Sequence, residues 1–470
     1  VTCSLVTGGA AAATCGSSTA PDEHSLKNVA AAAKLGVPTR VLVDRHAEEF
    51  RALGPLLDIA SDDFIRTSVD ARHEPATSWL WRACEARGDL YKRRWHGRYC
   101  VGCEAFVEDD VVICEEHGVA PEPVSEDNWF FRLSRYREPV RDAIASGRVA
   151  IVPESARAET LAFLDGEVRD LSVSRDAARG DWGIRVPGDP TQLVYVWFDA
   201  LAGYLASLGL GGDETLLDRY WRSGGERAHV IGKGISRFHA VYWPAFLLSA
   251  GLPLPDRVLV HGYLTIDGKK IAKSGRGAEV SPVVDELGAD ALRWYFVRRC
   301  RTRGDSDVKR AELAAAYDGD IADRLGNLVQ RCIALAARVS DGRVPARADD
   351  PVLRAAAEAL PARVDAALDG FLFDDAVGAI IGLVDAANRA LEASAPWRVA
   401  RTDAAAAAAS LYAPLEAARV AAGELAPFVP GVARVIAERL GDAPLDAGWG
   451  KLAPGARLRA GPPPFPRRAG

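Results

Sequence analysis

Apolar positions recur at helical spacing in "LKNVAAAAKLG" (26–36), "VDRHAEEFRALGPLLDI" (43–59) and "ATSWLWRACEARGDL" (76–90), and a short strand-like run, "DDFIRTSV" (62–69), lies between them. That alternation predicts an α/β core. It is interrupted from roughly Tyr91 to Asp170 by a cysteine-containing stretch and resumes with "TQLVYVWFDALAGYLASLG", "AHVIGKGISRFHAVYWPAFLLSAG" and "DRVLVHGYLTIDG". Beyond Asp307 the strand signal disappears. "AELAAAYDGDIADRLGNLVQRCIALAARV", the apolar spacing from Asp374 to Ala390 and "LYAPLEAARVAAGELAPFVPGVARVIAERLG" are all helical, which predicts a separate all-α domain. The alanine run Ala404 to Ala409 fits a helix or its approach, and "GPPPFPRRAG" closes the chain as a proline-rich tail.

Composition narrows the class. The 470 residues are 49% hydrophobic and 26% charged, as expected of an ordinary globular protein of roughly two to four domains. The most apolar stretch, "AVYWPAFLLSAGLPLP", carries Pro244, Pro253 and Pro255 and reads as a buried helix, so no membrane association is expected. No signal-peptide pattern opens the sequence, and the eight cysteines lack the spacing of a secreted disulfide scaffold; both point to a reducing cytoplasm. The net charge of -6 argues against polyanion binding over the whole surface but leaves room for a local basic face.

Two stretches carry chemistry. In "CVGCEAFVEDDVVICEEHG" the pairs Cys100/Cys103 and Cys114/His117 supply the four ligands that tetrahedral structural zinc prefers; the alternative is reduced cysteines packed in a small core. In "YLTIDGKKIAKSGRGAEVSP" three lysines sit in a glycine-bounded loop, although the chain otherwise strongly prefers arginine. Such a loop can close over a triphosphate and stabilise charge as pyrophosphate leaves, or it can be a solvated surface loop.

Together with "VYVWFDALAGY", "NWFFRLSRY", "GADALRWYF" and the run from His229 to Ser274, these stretches resemble the methionyl-tRNA synthetases, class I aminoacyl-tRNA synthetases, from about Asp22 to Gly441. The resemblance implies a Rossmann-type catalytic core in two halves (1–92 and 171–256), the first incomplete at its N-terminus. It also implies a zinc-knuckle insert (93–170), a linking segment with the lysine loop (257–310), a C-terminal helical-bundle domain of the anticodon-binding type (311–445) and the tail (446–470). Lys270 and Lys273 match the lysines of the family's phosphate-binding loop and are the expected catalytic pair; Ser274, Gly232 and Lys233 complete the expected ATP contacts. Asp22 matches the carboxylate that meets the substrate α-amino group, and Trp197, Tyr204 and His239 match the walls of the methionine pocket. Core packing is the alternative for the two aromatics, and a satisfied interior histidine for His239. Asn327, Arg331 and Trp397 match positions that read the anticodon. "RRCRTRGDSDVKR" fits a tRNA-backbone contact or a solvated basic face. The implied reaction is adenylation of an amino acid, methionine foremost, by Mg-ATP, then ester transfer to tRNA, with zinc as a structural cofactor.

The resemblance also breaks. There is no HxGH anywhere, the chain opens on valine and contains no methionine, and "GAAAATCGSSTAP" separates "LVTG" (5–8), which resembles the strand expected to enter "DEH", from that motif. These departures predict a chain inactive in adenylation until an upstream HxGH segment is supplied, with or without a further fused domain. Ser25 and Gly234 stand where the family has Gly and Asp, and Ile271-Ala272 stand for Met-Ser. Those departures resemble the paralogues of hydrazine biosynthesis, which pass the activated amino acid to a small hydroxylated acceptor. A non-catalytic tRNA-binding remnant is the remaining expectation.

Overall fold

The structure, a computed structural model, describes residues 2–7, 15–100, 105–107, 111–114, 118–270, 280–446 and 448–468. The chain forms two compact units, one of residues 1–55 and 59–261, the other of 56–58 and 262–470.

The first unit opens with β1 (Thr2–Thr7), β2 (Cys15–Ala20), α1 (Leu26–Leu35), α2 (Thr39–Leu56), β3 (Asp63–Phe64) and α3 (His73–Ala86). Next come β4 (Leu90–Cys100), β5 (Ala105–Val107), β6 (Glu122–Phe131), α4 (Arg137–Ala145), β7 (Ala150–Val152), α5 (Glu154–Asp165), β8 (Leu171–Ser172), β9 (Ser174–Asp176), β10 (Arg185–Val186) and β11 (Asp189–Val194). It closes with α6 (Val196–Ala206), α7 (Thr215–Leu217), β12 (Glu226–Gly232), α8 (Trp243–Ala250) and β13 (Arg257–His261).

Six strands form the central sheet in the order β3-β2-β1-β12-β13-β7. All neighbours are parallel except β1, which runs antiparallel to both β2 and β12, with Thr2 opposite Ala20 and Cys3 opposite Val230. The segments after β2 and β12 therefore leave the sheet at the same edge, the carboxyl ends of the parallel strands, where open α/β sheets bind ligands. One expectation is corrected here. The strand that enters "DEH" is β2, made from residues of the stretch read as an insert, whereas Leu5–Thr7 lie in its neighbour β1.

Within the cysteine-containing stretch, β4, β5 and β6 form an antiparallel sheet with β8, in the order β5-β4-β6-β8, whose long pair runs in register from Leu90 opposite Phe131 to Tyr99 opposite Glu122, whereas β7, later in the same stretch, joins the central sheet beside β13. The helices α6 and α8 are apolar on nearly every side and almost wholly buried, as such helices must be. Their rings interlock with those of α3 and β6: Trp81 meets Phe198 at 5.5 Å, and Phe246 meets Phe131 at 4.8 Å and Phe198 at 4.7 Å. A buried carboxylate ties the turn after α3 to α8, since Asp89 accepts from Ser249 Oγ (2.8 Å), Tyr136 Oη (2.5 Å) and Arg135 Nη1 (2.9 Å). Burial works against its charge, but these donors outweigh it and hold its pKa below the ordinary carboxylate value.

The second unit is helical apart from the small sheet of β14 (Leu264–Ile266), β15 (Lys269–Lys270) and β16 (Ser306–Val308). Its helices begin with α9 (Val280–Leu287), α10 (Ala289–Arg299), α11 (Arg310–Tyr317), α12 (Asn327–Val339), α13 (Pro351–Asp369) and α14 (Phe373–Ser394). α15 (Pro396–Val399), α16 (Ala404–Ala409), α17 (Tyr412–Leu425) and α18 (Pro430–Arg439) follow. The alanine run is thus a helix, capped by Asp403, whose carboxylate accepts from Ala406 N at 2.9 Å. Asp290 of α10 caps α18 from outside by accepting from Val432 N at 2.6 Å.

α17 is buried around its whole circumference and carries one ion pair inside the core: Glu416 and Arg419 are both 0% exposed. Glu416 accepts from the backbone N–H groups of Gly450 (2.8 Å), Lys451 (3.0 Å) and Leu452 (2.9 Å), while Arg419 donates to the carbonyls of Pro444 (2.8 Å), Asp446 (2.9 Å) and Gly448 (2.5 Å). Among its described residues the proline-rich tail has no helix or strand beyond a single bridge between Arg343 and Arg457, yet it buries Leu452, Leu458 and Phe465. Among the described residues no helix is long and apolar enough to cross a membrane.

Candidate functional site

The segment from Asp22 to His24 leaves β2 at the edge formed by the carboxyl ends of the parallel strands and is held from several sides. Asn28 Nδ2 donates to the carbonyls of Asp22 (3.4 Å) and Glu23 (3.0 Å), and Trp182 Nε1 donates to the Glu23 carbonyl (2.7 Å). The Glu23 carboxylate, 2% exposed, takes Arg66 Nε at 2.7 Å, Ser68 N at 3.2 Å and the Ser68 hydroxyl, while Glu23 N donates to Thr67 Oγ1 at 3.1 Å. Ser25 caps α1 by accepting from Lys27 N at 3.1 Å, so the serine standing where the family has glycine has a local structural role.

His24 and His73 meet on a single carboxylate. Asp199, on the otherwise apolar α6, is 1% exposed; its Oδ2 lies 2.7 Å from His24 Nδ1 and its Oδ1 lies 2.5 Å from His73 Nε2. Burial opposes the Asp199 charge, but the two imidazoles outweigh it and hold the carboxyl well below its ordinary pKa. Burial likewise opposes the His24 imidazolium, and Asp199 outweighs it, raising the His24 pKa. Among the described residues, His73 Nδ1 is buried without a hydrogen-bond partner, so Nε2 is the ring nitrogen that His73 turns to Asp199.

Farther along α6, Tyr204 packs into an aromatic cluster. Its hydroxyl lies 2.8 Å from His239 Nε2, and His239 Nδ1 lies 3.0 Å from the Ile235 carbonyl, so His239 donates through Nδ1 and accepts from Tyr204 through Nε2. Burial pushes His239 down to about 4, opposed by the Ile235 carbonyl. Behind it His229, 4.4 Å from the Tyr204 ring, accepts from Trp243 Nε1 at 3.1 Å and is driven by burial well below the ordinary histidine value. Trp197 stacks on Phe238 at 3.8 Å and meets His239 edge-on at 6.4 Å. Two neutral histidines and three large rings make a wall that suits an uncharged, polarizable chain. His239 is both a satisfied interior histidine and a member of this wall.

The remaining expected residues divide between described and undescribed positions. Gly232 ends β12 and exposed Lys233 opens the turn that leads to His239. The backbone of Lys270 lies in β15; Lys273 and Ser274 fall outside the described residues. Cys100 (0% exposed) and Cys114 (5%) are buried, while Cys103 and His117 lie outside the described residues; among those described, no three potential ligands are placed to hold a metal. In the second unit, Asn327 and Arg331 lie one turn apart on α12, and the Arg331 guanidinium sits over the Trp397 ring at 5.1 Å while pairing with Glu392 at 2.9 Å.

Comparison with known proteins places this geometry. The family profile described as tRNA synthetases class I (M) matches residues 12–117 and 112–333, and that of the anticodon binding domain of methionyl tRNA ligase matches 339–460. The methionine–tRNA ligase of Brucella melitensis is 38% identical over 96% of this chain and 89% of its own length. The chain belongs to the class I methionyl-tRNA synthetase family. Among solved structures, the Mycobacterium tuberculosis methionyl-tRNA synthetase bound by methionyl-adenylate superimposes with a TM-score of 0.89 at 35% identity, over 96% of this chain and 92% of that one. Its apo form gives 0.83 at 34% identity over 92% and 88%.

As in that family, a class I synthetase core of α/β type precedes a helical anticodon domain. The structure adds Glu23, His24, Arg66, His73 and Asp199 to the site residues expected from the sequence. Asp199 had a signal, an acid inside "VWFDALAGYLA", whereas His73 had none.

Proposed function

We propose that this chain is a methionine–tRNA ligase: it joins methionine to ATP as the adenylate, releasing pyrophosphate, and passes the methionyl group to a terminal hydroxyl of tRNA in the cytoplasm. The carrying observation is the neutral aromatic wall of Trp197, Tyr204 and His239 at the same sheet edge as Asp22. An apolar thioether fits the wall and an ammonium fits the carboxylate, which is the recognition that a methionine substrate needs. Gly232, Lys233, Lys270, Lys273 and Ser274 would take the nucleotide of Mg-ATP, acting by position and charge. Asn327, Arg331 and Trp397 would stack on and hydrogen-bond the anticodon bases.

The insert fits a structural zinc. Gly118 N donates to the Cys114 carbonyl at 2.7 Å with Gly118 in the left-handed region (φ 65°), and Cys100 supplies a second buried thiol beside that of Cys114 in the same stretch. Cys100, Cys103, Cys114 and His117 would hold the ion, which would cross-link the insert and leave no open position for substrate.

The test is methionine-dependent exchange of pyrophosphate into ATP, followed by methionylation of tRNA, in the 470-residue chain and in a form extended upstream to carry HxGH. Exchange that prefers methionine over leucine and isoleucine, with ester appearing on tRNA, is the expected result. Exchange without tRNA charging, or no methionine preference in either form, overturns the reading.

A further inference from the structure

The two histidines on Asp199 use opposite ring nitrogens and come from different parts of the chain. His24 follows Asp22 by two residues, His73 begins α3, and Asp199 lies on α6 between Trp197 and Tyr204. Each carboxylate oxygen takes one imidazole, so both contacts require N–H donors: Nδ1–H of His24 and Nε2–H of His73. Nearby charges on the cluster come from Glu23, which favours the His24 charge, and Arg40, which opposes it. Thr77 Oγ1 is a further polar neighbour of that contact, at 3.5 Å from His73 Nε2.

This placement links the two halves of amino-acid recognition. Asp22 would bind the substrate ammonium; Trp197 and Tyr204 would bind its side chain. Asp199 joins the segment that carries the first to the helix that carries the second, and His73 anchors the carboxylate from a third element. Glu23 is separately clamped by Arg66, Thr67 and Ser68, so the segment has little freedom except along the Asp199 contact.

We propose that His24, Asp199 and His73 are positioning residues that set the spacing between Asp22 and the aromatic wall, and so govern affinity for methionine. The inference rests on the proposed function. The three side chains need touch neither methionine nor ATP; they act through the segment and the helix they join. A space-filling role would depend on volume, whereas this role depends on which nitrogen donates.

That difference is measurable, because an asparagine amide can stand in for Nδ1–H and a glutamine amide for Nε2–H. The full chain is titrated with methionine by intrinsic tryptophan fluorescence, with ATP titrated separately and melting recorded for every variant. H24N and H73Q keep the donor and are expected within about threefold of the parent affinity; H24Q and H73N misplace it and are expected to weaken methionine binding by about tenfold or more. D199N, which turns one acceptor into a donor facing an N–H, is expected to weaken it at least as much. ATP affinity stays unchanged throughout. If D199N does not fold, the uncharged crossed pairs still decide. Equal affinities for Asn and Gln at both positions overturn the inference while leaving the proposed function standing. A parent chain with no saturable methionine response overturns the proposed function, and this inference with it.

Discussion

Replacing Arg419 by leucine removes a cation that makes six hydrogen bonds to four residues at once. Its Nε and Nη2 hold Glu416, and its remaining N–H groups hold the carbonyls of Pro444, Asp446 and Gly448, so all five guanidinium donors are in use. Both members of the pair are 0% exposed. R419L therefore leaves a buried carboxylate without its counter-charge, a change that costs about 3–5 kcal/mol. For a domain of this size that corresponds to a fall of roughly 6–20 °C in the melting midpoint of the helical unit. The double variant E416L/R419L removes the stranded charge. The loop residues Pro444, Asp446, Gly448 and Lys451 are exposed and Gly450 partly so, which lets water reach most of the freed backbone groups and leaves the Leu452 N–H as the buried one, and the double variant is expected to melt above R419L. Thermal and urea unfolding followed by circular dichroism, with hydrogen exchange over residues 444–452, measures both effects. A midpoint for R419L within 2 °C of the parent, about a third of the smallest expected fall, or strict additivity in the double variant, would refute the pairing argument.

Other outcomes follow from the same structure. His239 has its folded pKa depressed to about 4, so its contribution is fully present above the ordinary value near 6.5 and is lost as pH falls toward 4; about 2 kcal/mol of stability should disappear between pH 7.5 and 5, and H239N should flatten that slope in urea titrations. R331A should weaken tRNA binding about tenfold and lower its salt dependence, whereas E392Q, which frees Arg331 from an exposed ion pair, should strengthen binding by up to about fivefold in filter or anisotropy assays. K270A and K273A should each slow pyrophosphate exchange roughly a hundredfold, and near-normal exchange in both would return the loop to a solvated surface role. Metal analysis should find about one zinc per chain, lost in C100S/C114S; less than about a tenth of an equivalent would remove the zinc assignment.

How much was legible depends on the range of the physics involved. Helices such as α6, α14 and α17 were readable because a run of apolar residues can satisfy its own backbone only by coiling and being buried. The aromatic wall was readable in part: Trp197 and Tyr204 are large rings in one such helix, and His239 stands beside Phe238 in the helical turn that leads into α8. His73 was not. It donates to a carboxylate 126 positions away, and His24 to the same group from 175 positions away, so only the closed fold brings them together. The Glu23–Arg66 clamp escapes notice for the same reason. The direction of β1 was illegible too, because an alternating run of six residues pairs equally well either way. The strand that enters "DEH" was misplaced onto Leu5–Gly8 because "CGSST" is short, small and polar, and reads as a turn.

The reversed strand has a consequence for assembly. In the sheet of the described residues, β1 is the strand that joins β3-β2 on one side to β12-β13-β7 on the other. Its contact with β2 closes a short hairpin, whereas its contact with β12 joins positions more than two hundred residues apart, Thr7 with Glu226 for example. The hairpin can form early, since closing a short loop costs little entropy, and it then offers a finished edge on which the late half of the sheet can dock. Until that docking occurs, the outer edge of β1 is an open row of backbone donors and acceptors. A chain paused at this stage would be prone to recruit the same strand from another copy.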